Sequence, residues 1–223
     1  MKLSFKIKEI KPSIFLFEFT DQYNMNMHFL RYQEFYESPN PKFRNKLFTI
    51  FEFMEWQAKK EGNGNFTYPT AWSGFNIPSH IFKKCLDNVI YFADDYNQYD
   101  QNMDEAYAQC VAKIGPRTTV DEKFYIIGCL KGNTKTLDHE ISHGMFYLDS
   151  EYKKEATKLV KALPKRIRTS MEKMLTKYGY TKQVFVDEIN AYFSTDTKQN
   201  LIDRGIKAEN KDDAFKALFE QFK

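Results

Sequence analysis

Leu137-Asp138-His139-Glu140-Ile141-Ser142-His143-Gly144 is the stretch on which the reading of this chain turns. Leu137, Ile141, Met145 and Leu148 recur at steps of four and three, which marks one face of an amphipathic helix. On that helix His139 and His143 lie one turn apart on the same side, so both imidazoles can turn toward a single ion. Zinc accepts neutral imidazole nitrogen at about 2.0–2.1 Å and prefers four ligands. Glu140 follows His139 and is rotated about 100° around the axis. That takes it out of the plane of the two imidazoles and toward a water on the ion's open side, where a general base belongs. The ion lowers the pKa of such a water and polarises a carbonyl.

Outward from the motif, Phe124 to Leu130 reads as a buried strand, Lys131-Gly132-Asn133 as a turn, and Thr134 or Thr136 as the helix cap. A third protein ligand is required. The four histidines are His28, His80, His139 and His143, so none follows the motif and a carboxylate is the expected third ligand. Glu188 is the first choice: Val184, Phe185 and Ile189 surround it on a helix that must pack inward, and a buried acid needs a partner. Asp187 is the alternative ligand, or the acceptor for a ligand imidazole N–H. Tyr192, one turn after Glu188, is expected to face the ion and to donate to a developing oxyanion; an ordinary packed tyrosine is the competing reading. His80 is a second possible donor, or a surface residue at a helix start. His28, among Met27, Phe29 and Leu30, reads as structural. Cys129 lies ten residues before His139 and offers a thiolate ligand, against a buried strand thiol. A di-iron bundle needs two Glu-x-x-His motifs, and only Glu140-Ile141-Ser142-His143 is present.

His139-Glu140-x-x-His143 with a Glu on a later helix resembles the gluzincins, the thermolysin- and aminopeptidase-type zinc hydrolases. Asp187-Glu188-x-x-Ala191-Tyr192 is similar to the third-ligand helix of several such families. The resemblance spans residues 124–193 and does not extend to the first 120. It implies zinc on His139, His143 and Glu188, Glu140 as base, and the strand at 124–130 as the edge along which an extended peptide lies. The absence of a third His excludes the metzincin type. The interval from His143 to Glu188 is longer than in thermolysin and must hold two extra helices.

Composition agrees with a globular protein. Hydrophobic residues make up 42% of 223 and aromatics 17%. A net charge of +3 gives no electrostatic case for nucleic acid. The run Lys153, Lys154, Lys158, Lys161, Lys165, Arg166, Arg168 reads as a solvated helix face. No stretch approaches the roughly 20 apolar residues of a membrane span. Lys6, Lys8, Glu9 and Lys11 interrupt the N-terminus, so it does not read as a signal peptide. Three cysteines, Cys85, Cys110 and Cys129, show no paired spacing and fit a reducing cytoplasm; export without a cleaved signal stays open. Nothing sets the oligomeric state.

Along the chain, strands are expected at Leu3–Ile10 and Ile14–Phe19, joined as a hairpin through Pro12 and Ser13. Helices are expected over 24–37, 46–60, 79–92, 104–112, 134–148, 150–164, 165–178, from Thr181 through Phe193, and around Ala214–Phe222. Residues 62–79 read as a loop, with Phe66–Pro78 the expected substrate lid or cleft wall. Residues 94–104 read as a turn, and Gly115-Pro116 as a helix stop. The expectation is one α+β, zincin-like domain over residues 1–223. A mixed lobe at 1–148 would carry the His-Glu-x-x-His helix, a helical lobe at 149–223 would carry the third ligand, and zinc would lie between them. The expected function is a zinc-dependent hydrolase, a metallopeptidase acting on a peptide or protein. A non-catalytic metal-binding regulatory protein is the alternative.

Overall fold

The computed structural model describes residues 3–92, 95–115, 123–207 and 211–223. It is an α+β structure that divides into two compact units, Met1–Asn133 and Thr134–Lys223.

In the first unit, Lys6–Lys11 (β1) and Ile14–Phe19 (β2) form the expected antiparallel hairpin, with Ser13 turning at φ 63°. The strand starts later than the alternation suggested, yet Phe5 before it is still buried, stacked on Phe17 and Phe19. Gln22–Glu37 (α1) is capped by Asp21, which accepts from the Asn24 amide. Ile50–Lys60 (α2) begins at a capping box in which Thr49 and Glu52 satisfy each other's backbone N–H. Gly74–Pro78 (β3), Ser79–Phe92 (α3), Gln98–Ile114 (α4) and Tyr125–Leu130 (β4) complete the unit. α4 starts earlier than expected because Asn97 and Asp100 form a second capping box. Its stop at Gly115 (φ 65°) is as expected, while Pro116 lies outside the described residues.

The sheet order is β1-β2-β4-β3, with β4 parallel to β2 and antiparallel to β3. Two expectations are corrected here. β4, expected as an exposed edge for an extended peptide, is an interior strand: its backbone groups pair with β2 on one side and β3 on the other. The loop expected at 62–79 contains a three-residue 3-10 turn at Tyr68–Thr70 and then β3. Asn26 exchanges hydrogen bonds with the Trp72 backbone (both 3.1 Å), and Gln57 does the same with Thr67 (2.7 and 3.1 Å). Phe75 and Ile77 are in the core. Phe66–Pro78 is therefore a tethered turn and an edge strand, not a lid.

α1 packs on β3 and β4. Its Phe29 ring stacks on Phe75 with centroids 4.8 Å apart and lies directly over Gly128 of β4, where a Cβ would stand 2.4 Å from a ring carbon. On another side of α1, the buried Arg31 guanidinium binds Asp100 through two nitrogens, each at 3.1 Å, and the Phe48 carbonyl at 2.6 Å.

The second unit is helical: Thr134–Leu148 (α5), Ser150–Ala162 (α6), Lys165–Lys177 (α7), Phe185–Thr195 (α8), Lys198–Asp203 (α9) and Asp212–Phe222 (α10). α8 is its hub and packs against α5, α6, α7 and α10. Ile189 and Phe193 of α8 join Val160, Ile167, Met171, Leu175 and Phe215 in one core. Asp149 caps α6 as expected. α8 starts at Phe185, after a turn over residues 181–184, and α9 was not anticipated. The division between units comes before α5, at Asn133/Thr134, not after it at 148/149. The reason is packing: α5 lays its buried face on α8 and α6.

Gly128→Ala should destabilise the first unit by about 1–3 kcal/mol, because the methyl drives a stacked ring off its seat. Urea unfolding would measure it, and Phe29→Leu in the same chain should recover part of the loss.

Candidate metal centre

His139 and His143 occupy adjacent turns of α5, and Glu188 lies in the first turn of α8. All three side chains converge, with one ligand atom from each lying within 4.8 Å of the others. The His139 and His143 Nε2 atoms are 3.3 Å apart, and His143 Nε2 is 3.7 Å from Glu188 Oε1. Two nitrogens each about 2.0–2.1 Å from a tetrahedral ion stand about 3.3–3.4 Å apart, so the histidine pair already has the span that zinc imposes. His143 and Glu188 are buried, and His139 is half-buried. Every member comes from the second unit, so the expected position between lobes is replaced by a centre built within α5 and α8.

The other nitrogen of each imidazole lies close to an oxygen of α8. Thr195 Oγ1 donates to the Ala191 carbonyl at 2.7 Å, which leaves its lone pairs for His139 Nδ1 at 3.3 Å. His143 Nδ1 lies 3.0 Å from Asp187 Oδ1. Each Nδ1 therefore has an oxygen of α8 close by, and the two Nε2 atoms face each other across 3.3 Å. A ligand imidazole tied through its far nitrogen to a carboxylate or hydroxyl is the arrangement that fixes tautomer and ring angle around a metal. Asp187 Oδ1 lies beside the far nitrogen of His143, outside the converging group of His139, His143 and Glu188.

The electrostatics follow from this crowding. Burial, then the adjacent His143, then Arg204 and Lys135 hold His139 well below its ordinary value. Burial works in the same direction on His143, but Asp187, Glu188 and Glu140 outweigh it and hold that imidazole well above its ordinary value. Without a metal, one proton shared toward His139 relieves the facing lone pairs. Glu140 is buried, and its charge is among those that act on His143.

Tyr192 lies on the same face of α8 as Glu188. Its ring meets the His139 ring with centroids 5.0 Å apart at 64°. Burial first, then Glu188, push its hydroxyl well above the ordinary phenol range, so it stays a neutral donor. Cys129, His28 and His80 are not in the cluster. Cys129 is buried in β4 and its thiol donates to the Asn133 carbonyl at 3.5 Å. His28 is buried between the Asn24 carbonyl (2.7 Å) and Asn102 (3.0 Å), the structural role expected of it. His80 is exposed in the first turn of α3.

Sequence reasoning missed the residues behind the ligands. Thr195 follows Glu188 at the i+7 position and Tyr192 at the i+3 position, so a wheel drawn from Glu188 would have found it. Asn190 donates to Ser142 Oγ (3.0 Å) and to Tyr152 Oη (3.2 Å), which locks α5, α6 and α8 together on the buried side of the site. Arg204 had no local signal; it sits after α9, with Cζ 4.9 Å from the Tyr192 ring centroid. Comparison with known proteins finds no match: no family model fits the chain, no curated protein is similar in sequence, and no solved structure is similar in fold.

Two outcomes test the centre. Asp187→Asn should weaken zinc binding about 10- to 100-fold without removing a ligand, measured by competition with a chromophoric chelator. At neutral pH, zinc loading should release about one proton, because the His143 proton must leave before Nε2 can bind. Calorimetry in buffers of different ionisation heat reads that number, and release should fall away as pH rises through the elevated value of His143.

Proposed function

We propose that this chain is a zinc-dependent hydrolase, and specifically a metallopeptidase of gluzincin type. The observation that carries the reading is the approach of the two Nε2 atoms to 3.3 Å beside the Glu188 carboxylate, with an α8 oxygen near each Nδ1. That donor set of two neutral nitrogens and one carboxylate oxygen suits zinc and leaves one position of a tetrahedron open. His139, His143 and Glu188 would hold the ion. Zinc there supplies Lewis acidity, polarising a carbonyl and making a water acidic near neutral pH.

The chain's own residues divide the remaining work. Glu140, buried next to His139 in sequence and acting electrostatically on His143, is the base that takes a proton from the attacking water and returns it to the leaving nitrogen. Asp187 and Thr195 keep the imidazoles in the tautomer with Nε2 inward. Tyr192, neutral and beside His139, is the hydrogen-bond donor for the oxyanion as the carbonyl carbon becomes tetrahedral. An amide substrate fits this set because its poor leaving group needs both the base and its returned proton. The fold is read as zincin-like on the same grounds, a metal helix paired with a later helix that brings the carboxylate.

Glu140→Gln separates a hydrolase from a protein that only binds metal. The variant should keep one zinc per chain and lose about 10²–10⁴-fold in hydrolysis of a quenched fluorescent peptide mixture. His143→Ala should lose the metal itself. Full activity in Glu140→Gln, or no zinc in the parent protein under metal-replete conditions, would sink the proposal.

A further inference from the structure

Among the described residues beside the candidate centre, Arg204 is a cation whose hydrogen-bonding capacity is largely unspent. Its Nε donates to Asp196 Oδ2 at 3.2 Å. Its guanidinium carbon lies 4.9 Å from the centroid of the Tyr192 ring, and that ring in turn contacts His139. Nη1 reaches only the Tyr178 hydroxyl, at 3.5 Å, and Nη2 has no acceptor among the described residues. The side chain is 32% exposed, and its Nε is tied to Asp196. Gly205 at φ 80° turns the chain immediately after it, and Ile206 is anchored in the core, so the base of the side chain is held.

The local charge count points the same way. Lys135 Nζ lies 3.2 Å from the other oxygen of Asp196, so two cations share one buried carboxylate. One positive charge is left over on the His139 side, whereas Asp187 and Glu188 stand on the His143 side. A guanidinium held through Nε and stacked on an aromatic face presents its two Nη groups as a ready fork for a planar anion.

We infer that Arg204 is the receptor for a substrate carboxylate beside the metal centre. The preferred substrate is then a peptide with an anionic group next to the bond that is cut, either a free C-terminal carboxylate or an acidic side chain. This rests on the metallopeptidase reading for the meaning of "substrate", but the recognition itself is testable without turnover. Arg204 is a specificity residue and does not touch the ligands.

The test uses the full-length, zinc-loaded Glu140→Gln protein and calorimetric titration. Two probe pairs are compared: an N-acetyl dipeptide as free acid against its amide, and an N-acetyl tripeptide amide containing Glu against the same peptide containing Gln. One acid probe should bind about 10- to 100-fold tighter than its neutral partner, and the pair that shows it names the source of the carboxylate. Arg204→Gln should erase the difference with zinc content unchanged. Arg204→Lys, which keeps the charge and loses the fork, should retain part of it and guards against misfolding of the first variant. Equal binding of acid and neutral probes, no binding of either acid, or a preference that survives Arg204→Gln overturns the inference. A preference for acid in a parent protein that cuts no peptide would refute the peptidase reading and leave the carboxylate receptor standing.

Discussion

Two imidazole nitrogens that both present lone pairs repel each other in a dry interior unless a cation or a proton lies between them. The Nε2 atoms of His139 and His143 face each other across 3.3 Å, and an α8 oxygen lies near each of the other ring nitrogens. Rotation of His143 would abandon Asp187, and rotation of His139 would abandon Thr195. Both anchors belong to α8, so the ring angles on α5 are dictated by a different helix. The site is therefore as good as the register between α5 and α8, and no better.

That register is held by a polar knot rather than by apolar packing alone. Ser142, between the two ligand turns, lies 3.1 Å from the Tyr152 hydroxyl of α6, and Asn190 of α8 donates to both. Ser194 adds a contact to the Asn190 carbonyl oxygen at 3.4 Å. These groups are buried, and a slip of one residue between the helices would leave several of them unsatisfied at about 1–3 kcal/mol each. Leu and Phe contacts tolerate small slides; a three-way hydrogen-bonded cluster does not. The knot thus converts a generic helix pair into one with a single allowed register, which is what a metal site with a tolerance of a few tenths of an ångström requires.

Much of this was legible because the signals were local. The stripe Leu137, Ile141, Met145 gives the helix, the histidine spacing gives the face, and an acid set among Val184, Phe185 and Ile189 gives the carboxylate. Each depends on periodicity within one helix. Errors arose where partners came from far along the chain. β3 carries Gly74, Asn76 and Pro78, all poor strand formers, and is a strand only because β4 offers it a ladder. β4 reads as a buried run whether it lies at an edge or inside, so its two neighbours were invisible from its own residues. The Asn97–Asp100 capping box was a local signal and was available, hidden in a stretch whose polarity suggested a turn. α9 is too short to show a period. Arg204 stands between Asp203 and Gly205, where composition says loop, and its meaning comes wholly from Asp196 and Tyr192.

Charge bears on which ion the centre favours. Around His143 stand three carboxylates, Asp187, Glu188 and Glu140, against the one proton that the raised imidazole holds. That leaves an excess of negative charge in a mostly buried space, which a monovalent ion would not balance and a dication would. Calcium and magnesium match the charge but ask for six or more oxygen ligands, and two of the three converging donors are nitrogens. Divalent ions that accept imidazole remain; two nitrogens 3.3 Å apart beside one carboxylate are compatible with a tetrahedral ion, the geometry on which the zinc proposal rests. The preference follows from the identity of the donors and their spacing: a thiol in place of Glu188 would shift the balance toward softer ions.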